Sequence, residues 1–185
     1  MNAYDTAVRI GECFDEDQIP YAIGGALALG AHGAARATND VDISAFLGRD
    51  ALDRVLDSLE RAGAMVDRAS AKREVERIGL FVARLGGIRI DVFLSLHPQF
   101  TQMHARSVSM TDASGHTLKF MSAEDLTLYK LIYGRDKDVI DLQRLIAVRE
   151  LDLAYVREWL VQMLPAGDRR FAILDDLDRR FRAPR

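Results

Sequence analysis

Two apolar runs constrain the fold most, Ile78 to Leu85 and Ile88 to Leu94, because only Gly86 and Gly87 separate them. Both central positions of a type I′ turn require positive φ, which glycine adopts without strain. Two glycines between strand-like runs are therefore a strong hairpin signal. The pattern predicts an antiparallel β-hairpin and places a sheet in the first part of the chain.

Apolar spacing predicts the other elements. It indicates helices over 4–17, 26–35 and 50–62, and strands over 21–23, 40–46, 65–68, 108–110 and 117–121. From Ser122 the pattern becomes helical, over 123–133, 138–148, 153–164 and 169–182, with Ser122 as the first N-cap. We therefore expect an α+β (mixed α/β) fold. Residues 1–121 would form a mixed β-sheet flanked by helices, and residues 122–185 a helical bundle packed on it.

Composition excludes several classes of protein. With 185 residues, 49% of them hydrophobic, the chain can bury a core. The net charge of −3 argues against nucleic-acid binding through bulk positive charge, although a local basic patch remains compatible with it. Cys13 is the only cysteine, so no intrachain disulfide can form, and we expect a cytoplasmic protein. The sequence has no segment that resembles a signal peptide or a membrane span, so we expect no membrane partner.

Three aspartates are the candidates for metal binding. Asp40 and Asp42 stand two apart in a predicted strand, so both carboxylates project from one face. Neighbouring carboxylates repel each other unless a cation lies between them, and such oxygen ligands suit Mg²⁺. An exposed acidic strand end would show the same D-x-D pattern. Asp91 interrupts the apolar strand IRIDVFL, where an acid is costly without a metal or a partner such as a nearby arginine.

A glycine pair is the second feature of the candidate site. Gly24 and Gly25 lie between a predicted strand and a predicted helix, where glycine lets the backbone approach a phosphate closely. A simple tight turn would explain the pair equally well if it stood alone. Three acids from two strands opposite this turn are an arrangement suited to two-metal phosphoryl chemistry.

On these residues the sequence resembles the nucleotidyltransferase superfamily related to DNA polymerase β. The resemblance rests on Gly24-Gly25, on Arg36-x-Thr38-x-Asp40-x-Asp42, and on Asp91 in a later strand. This combination is most similar to the AbiEii-type toxins and related bacterial proteins. The segment LYKLIYGRDKDVIDLQRLI, residues 128–146, is similar to the helical region that follows the catalytic domain in those proteins.

The resemblance implies transfer of a nucleoside monophosphate from an NTP such as ATP to a hydroxyl acceptor. Asp40, Asp42 and Asp91 would be the catalytic residues and the ligands of Mg²⁺ or Mn²⁺. Asp91 would also be able to take the proton of the acceptor. The acceptor would be an RNA such as tRNA, a protein or a small molecule, and a cognate antitoxin is an expected partner if the chain belongs to a toxin–antitoxin or phage-defence system.

Five residues would bind the nucleotide: Gly24, Gly25, Arg36, Thr38 and Lys130. Arg36 would bind phosphate or pair with Asp40, and Thr38 would orient a carboxylate or only favour the strand. Lys130 interrupts the apolar face of its helix and would contact the triphosphate, or else complement the helix dipole.

Two other functions fit the same residues. The first is a catalytically silent module that binds nucleotide or a partner, which the costly acidic cluster argues against. The second is a carboxylate cluster that holds a structural cation, which leaves the glycine turn unexplained.

Overall fold

The computed structural model describes residues 1–182 and the side chains of residues 1–180. The chain forms two compact units. The first consists of Met1–Leu27 and Arg36–Met121, and the second of Ala28–Ala35 and the chain from Ser122 onward.

The first unit is built on a six-stranded mixed sheet. Its strands are β1 (Tyr21–Ile23), β2 (Asp40–Ala45), β3 (Leu80–Leu85), β4 (Ile88–Leu94), β5 (Val108–Thr111) and β6 (Thr117–Phe120). They lie in the order β3-β4-β2-β1-β6-β5. The pairs β2–β4 and β1–β6 are parallel, and the pairs β1–β2, β3–β4 and β5–β6 are antiparallel.

Helices accompany this sheet along the chain. They are α1 (Ala3–Glu16), α3 (Leu52–Arg61), which follows a 3₁₀ turn (Arg49–Ala51), α4 (Arg68–Ile78) and α5 (Gln99–Arg106). Helix α2 (Gly25–Ala31) begins in the first unit, and its residues from Ala28 belong to the second. On α1, the predicted core positions Ala7, Ile10 and Phe14 are fully buried. Asn2 caps this helix by accepting a hydrogen bond from the Asp5 N–H. The sheet with its flanking helices confirms the α+β prediction.

The glycine hairpin is confirmed. β3 and β4 pair antiparallel from Leu80↔Phe93 to Leu85↔Ile88. Gly86 has φ +55° and Gly87 has φ +85°, as a turn with positive φ at both central positions requires.

The prediction of a strand over 65–68 is wrong. Met65 makes a single bridge to Arg84, and α4 begins at Arg68. Asp67 caps α4 by accepting the Ser70 N–H, and Gly79 with φ +72° ends it, so β3 begins at Leu80 and not at Ile78.

Two further elements differ from prediction. The helix expected over 26–35 ends at Ala31, and Gly33 follows in a left-handed conformation with φ +89°. Helix α5 was not expected, because it buries only Gln99, Phe100 and Met103.

The second unit is helical beyond Ser122. Its helices are α6 (Ala123–Tyr133), α7 (Asp136–Val148), α8 (Leu153–Met163) and α9 (Arg169–Arg182). Ser122 caps α6 by accepting the Asp125 N–H, as predicted. Leu128, Leu145, Val156 and Leu174 are fully buried, which confirms a helical bundle. Across the described part of the chain, every helix is too short or too polar to cross a membrane.

Candidate active site

The three predicted acids lie on one face of two neighbouring parallel strands. In the pairing of β2 with β4, Asp42 lies opposite Asp91, and Asp40 lies opposite Arg89. Paired residues of adjacent strands project from the same face, about 5 Å apart. The alternating residues are fully buried on the other face, among them Val41 and Val92. The strand register therefore brings the three carboxylates to one surface of the sheet.

The glycine turn lies directly against Asp42. The Gly24 N–H donates to the Asp42 carbonyl oxygen at 2.8 Å. Gly25 has φ +56°, and a Cβ added to it would lie 1.8 Å from Asp42 Oδ2. Any side chain at position 25 would therefore be strained by its backbone conformation and would also collide with the carboxylate.

Thr38 and Arg36 lie beside Asp40. The Thr38 hydroxyl donates to Asp40 Oδ1, so Thr38 orients a carboxylate in this structure. Arg36 donates from Nη1 to the Ala37 carbonyl oxygen at 3.2 Å. An open cavity of about 400 Å³ is lined by Arg36, Thr38, Asp40 and Arg89. Two guanidinium groups and a hydroxyl are groups that bind phosphate oxygens well.

Arg89 binds Asp91, so the arginine partner considered for this acid is present. Its Nε and Nη2 lie 2.9 and 2.7 Å from Asp91 Oδ1. The hydrogen bond to Asp91, followed by the charges of Asp91, Asp40 and Asp42, raises the pKa of the Arg89 guanidinium. Sequence analysis did not single out Arg89 for the site. Its position two residues before Asp91 in one strand was the available signal, because that spacing gives both residues the same face.

The carboxylates of Asp40, Asp42 and Asp91 are ligands of the type that a divalent cation binds, but their present positions do not form a metal site. Three carboxylates on one surface are the oxygen ligands that Mg²⁺ prefers. Nevertheless, among residues 1–182 no group of three or more His, Cys, Asp or Glu side chains is arranged to hold a metal ion. Asp91 is turned to Arg89 and Asp40 to Thr38.

Lys130 belongs to a buried ion cluster in the second unit. Its Nζ lies 2.7 Å from Asp141 Oδ2 and 3.5 Å from Asp138 Oδ1. Both carboxylates are almost fully buried, and Arg135 also binds Asp138, with its Nε at 2.7 Å. Sequence analysis did not place the two aspartates with Lys130, although Asp138, Asp141 and Leu145 share one helix face. The predicted contact between Lys130 and the triphosphate stays a prediction.

Solved structures resemble this fold at low sequence identity. The solution structure of the antibiotic-resistance factor ANT(2'')-Ia gives a TM-score of 0.57 at 17% identity, covering 97% of this chain and 100% of that chain. The crystal structure of ANT(2'')-Ia in complex with adenylyl-2''-tobramycin gives 0.52 at 14% identity, covering 97% and 99%. The lincomycin-bound lincosamide antibiotic adenylyltransferase LnuA gives 0.52 at 13% identity, covering 80% and 99%. These likenesses establish a nucleotidyltransferase fold.

A family profile extends over most of the chain. No curated protein matches the sequence. Residues 12–170 match the family described as nucleotidyltransferase of unknown function, DUF6036. The superfamily resemblance is thereby confirmed, whereas the finer likeness to AbiEii-type toxins stays a prediction. The chain belongs to the DUF6036 family of nucleotidyltransferases.

Proposed function

We propose that this chain is a metal-dependent nucleotidyltransferase that moves a nucleoside monophosphate from an NTP to a hydroxyl. The observation that carries the proposal is the alignment of Asp42 with Asp91 on neighbouring parallel strands, with Gly25 against Asp42. Adjacent carboxylates are costly to maintain without a cation. Gly25 is required both by its positive φ and by the Asp42 carboxylate that lies against it, and a tight turn alone explains only the first of these.

The reaction we propose forms one bond and breaks one. The acceptor oxygen attacks the α-phosphorus of the NTP, the bond from that phosphorus to the bridging oxygen breaks, and pyrophosphate leaves with the electron pair. Asp91 takes the hydroxyl proton on one of its carboxylate oxygens, on the sheet face that it shares with Asp42. Arg36 and Arg89 would bind the triphosphate in the cavity that they line.

Asp40, Asp42 and Asp91 would hold the metal ions. Bound there, Mg²⁺ or Mn²⁺ would neutralise charge on the triphosphate and lower the pKa of the acceptor hydroxyl. The Thr38 hydroxyl orients the Asp40 carboxylate, and the lack of a side chain at Gly25 lets the Asp42 carboxylate lie against the backbone of the turn. Binding of phosphate by Gly24 and Gly25 stays a prediction.

For the acceptor, we favour a small molecule. Two structural neighbours, one in complex with adenylyl-2''-tobramycin and one a lincomycin-bound lincosamide antibiotic adenylyltransferase, support this choice. Transfer to RNA or protein, and with it a toxin–antitoxin role and a cognate antitoxin, is the alternative that the sequence resemblance predicts.

Calorimetric titration of the full chain with each NTP tests the proposal, in the presence and absence of Mg²⁺. We expect NTP binding that requires the metal, and transfer of α-phosphate label from the bound NTP to one fraction of a cell extract. The labelled fraction, whether RNA, protein or small molecules, identifies the acceptor class. Metal-dependent binding without label in any fraction would instead favour the silent module, for which the Arg89–Asp91 ion pair is the structural argument. Absence of metal-dependent NTP binding would contradict the proposal that the chain is an enzyme.

Replacing Gly25 tests the close approach of the turn to Asp42. Gly25→Ala forces the carboxylate away from its position, because the new Cβ would lie 1.8 Å from Asp42 Oδ2. We expect about a 10²-fold loss of transfer rate, the effect typical of a misplaced catalytic group. The left-handed φ adds a destabilisation of about 1–2 kcal/mol. Label transfer and chemical denaturation measure the two effects separately.

Gly115→Ala is the matched control for this variant. Gly115 has φ +91°, and a Cβ there would meet nothing within 4 Å. We expect strain from a positive φ here too, with full transfer activity. Equal activity losses in the two variants would mean that strain, and not the Asp42 contact, explains the effect at Gly25.

A further inference from the structure

We propose that the cleft between α4 and β3 is the acceptor site and takes a small molecule that carries an apolar group and a cationic amine. This inference rests on the proposed function and names the substrate class of that site.

The cleft is a separate cavity on the first unit, with a volume of about 290 Å³. One face of α4 forms a wall through residues at helical spacing, including Asp67, Ser70, Glu74 and Ile78. Val82 on β3 contributes to the opposite wall. This volume is close to the lower limit of small-ligand sites, which is about 300 Å³, so the cleft fits a small molecule better than an RNA or a protein segment.

Strand register places this cleft next to the reacting groups. Val82 pairs with Asp91, so the two side chains project from the same face of the sheet. Arg89 lines this cleft and also the cavity formed with Thr38 and Asp40. A molecule in the cleft would therefore lie beside the proposed proton acceptor, with Arg89 between it and the triphosphate cavity.

The lining specifies the chemistry of the ligand. Ile78 is 50% exposed and Val82 is 38% exposed, so the cleft offers apolar surface that a ligand can cover. Asp67 and Glu74 bring two negative charges to the α4 wall, while the positive charge of Arg89 is directed to Asp91. Arg77, with Arg73 nearby, offsets the charge of Glu74. Asp67, which accepts the Ser70 N–H, therefore supplies the negative charge that favours a cation over an anion.

Binding is measured with three probes of matched size: 2-amino-1-phenylethanol, 1-phenylethane-1,2-diol and mandelate. They share a ring and a hydroxyl and differ in charge. Amide chemical shifts of the full chain report where each binds. We expect the amine to shift the amides of Ser70, Glu74 and Val82, the diol to bind more weakly, and mandelate to leave these amides unchanged. Mandelate binding as strongly as the amine, or shifts elsewhere only, would overturn the inference.

Asp67→Asn removes a charge without removing the helix cap, because asparagine caps helices as well as aspartate. We expect the dissociation constant of the amine to rise about fivefold, the effect of one partly exposed ion pair. Asp15→Asn is the control, since Asp15 binds Lys119 and does not line the cleft. An unchanged constant in Asp67→Asn would contradict the role of charge.

Two further outcomes separate this inference from the proposed function. If ATP binds with Mg²⁺ and label moves to RNA or protein while the amine leaves the cleft amides unshifted, the acceptor assignment fails and the nucleotidyltransferase stands. If the amine binds in the cleft but no NTP binds, both fail, because the cleft is then a binding site without transfer. Appearance of the adenylylated probe in the presence of ATP and Mg²⁺, detected by mass spectrometry, supports both.

Discussion

Asp42→Asn is expected to lower nucleotidyl transfer by about 10³-fold, since each 1.36 kcal/mol of lost charge stabilisation costs about tenfold. The change is nearly isosteric and removes one ligand charge at the point where Asp42, Asp91 and Gly25 meet. Transfer of α-phosphate label to the acceptor fraction measures the loss. We expect the unfolding free energy without metal to stay within about 1 kcal/mol of the wild type, because one of two repelling carboxylates is neutralised.

Mg²⁺ supplies a second measurement on the same variant. A ligand that binds only the folded state raises the unfolding temperature, so Mg²⁺ with ATP should stabilise the wild type and not Asp42→Asn. Asp175→Asn is the control, because this exposed carboxylate binds Arg157 on the second unit. An Asp42→Asn protein that transfers label at the wild-type rate would exclude Asp42 from the chemistry and remove the main support for the metal site.

The sequence predicts an element of the fold where its buried residues repeat at the spacing of a strand or of a helix. On β4, Ile90 and Val92 alternate with Arg89 and Asp91, and the structure keeps that alternation. The predicted acids share a face because alternation within a strand dictates it. Their adjacency depends on the pairing of β2 with β4, which no local pattern specifies.

Helix α4 shows why other elements escaped prediction. Its eleven residues bury only Ala71 and Val75, so no apolar stripe marks a helix. Its signals were at its ends, in Asp67 as the N-cap and Gly79 as the left-handed stop. Sequence analysis therefore did not predict the α4 wall of the proposed acceptor cleft, although it did predict that Asp40, Asp42 and Asp91 belong to a site.

Lys130→Met is expected to destabilise the protein by about 3–5 kcal/mol, the usual result of removing one partner of a buried ion pair. Lys130 binds Asp141 and Asp138, and all three side chains are at least nine-tenths buried. Loss of the ammonium leaves the Asp141 carboxylate without this partner in a medium of low dielectric constant. Chemical denaturation measures the change, and Lys137→Met, at an exposed position on the same helix as Asp141, is the control.

The pH dependence separates charge from packing in this variant. Burial raises the pKa of Asp138, but the hydrogen bond from Arg135 and the charge of Lys130 outweigh it, and the net pKa is lowered. A carboxyl with a lowered pKa contributes stability above its unfolded value of about 3.9, and that contribution is lost as the pH falls through the folded value. The deficit of Lys130→Met should therefore be largest near neutral pH and should shrink in acid.

Three results bear on the competing roles of Lys130. Adding Asp141→Leu to Lys130→Met should restore most of the lost stability, because an apolar pair avoids the cost of burying charge. A deficit that is constant with pH would attribute the loss to packing. Unchanged stability with weaker ATP binding would instead assign Lys130 to the triphosphate, as the sequence resemblance predicts. Stability and nucleotide binding must therefore be measured on the same variant, since each role predicts a loss in only one of them.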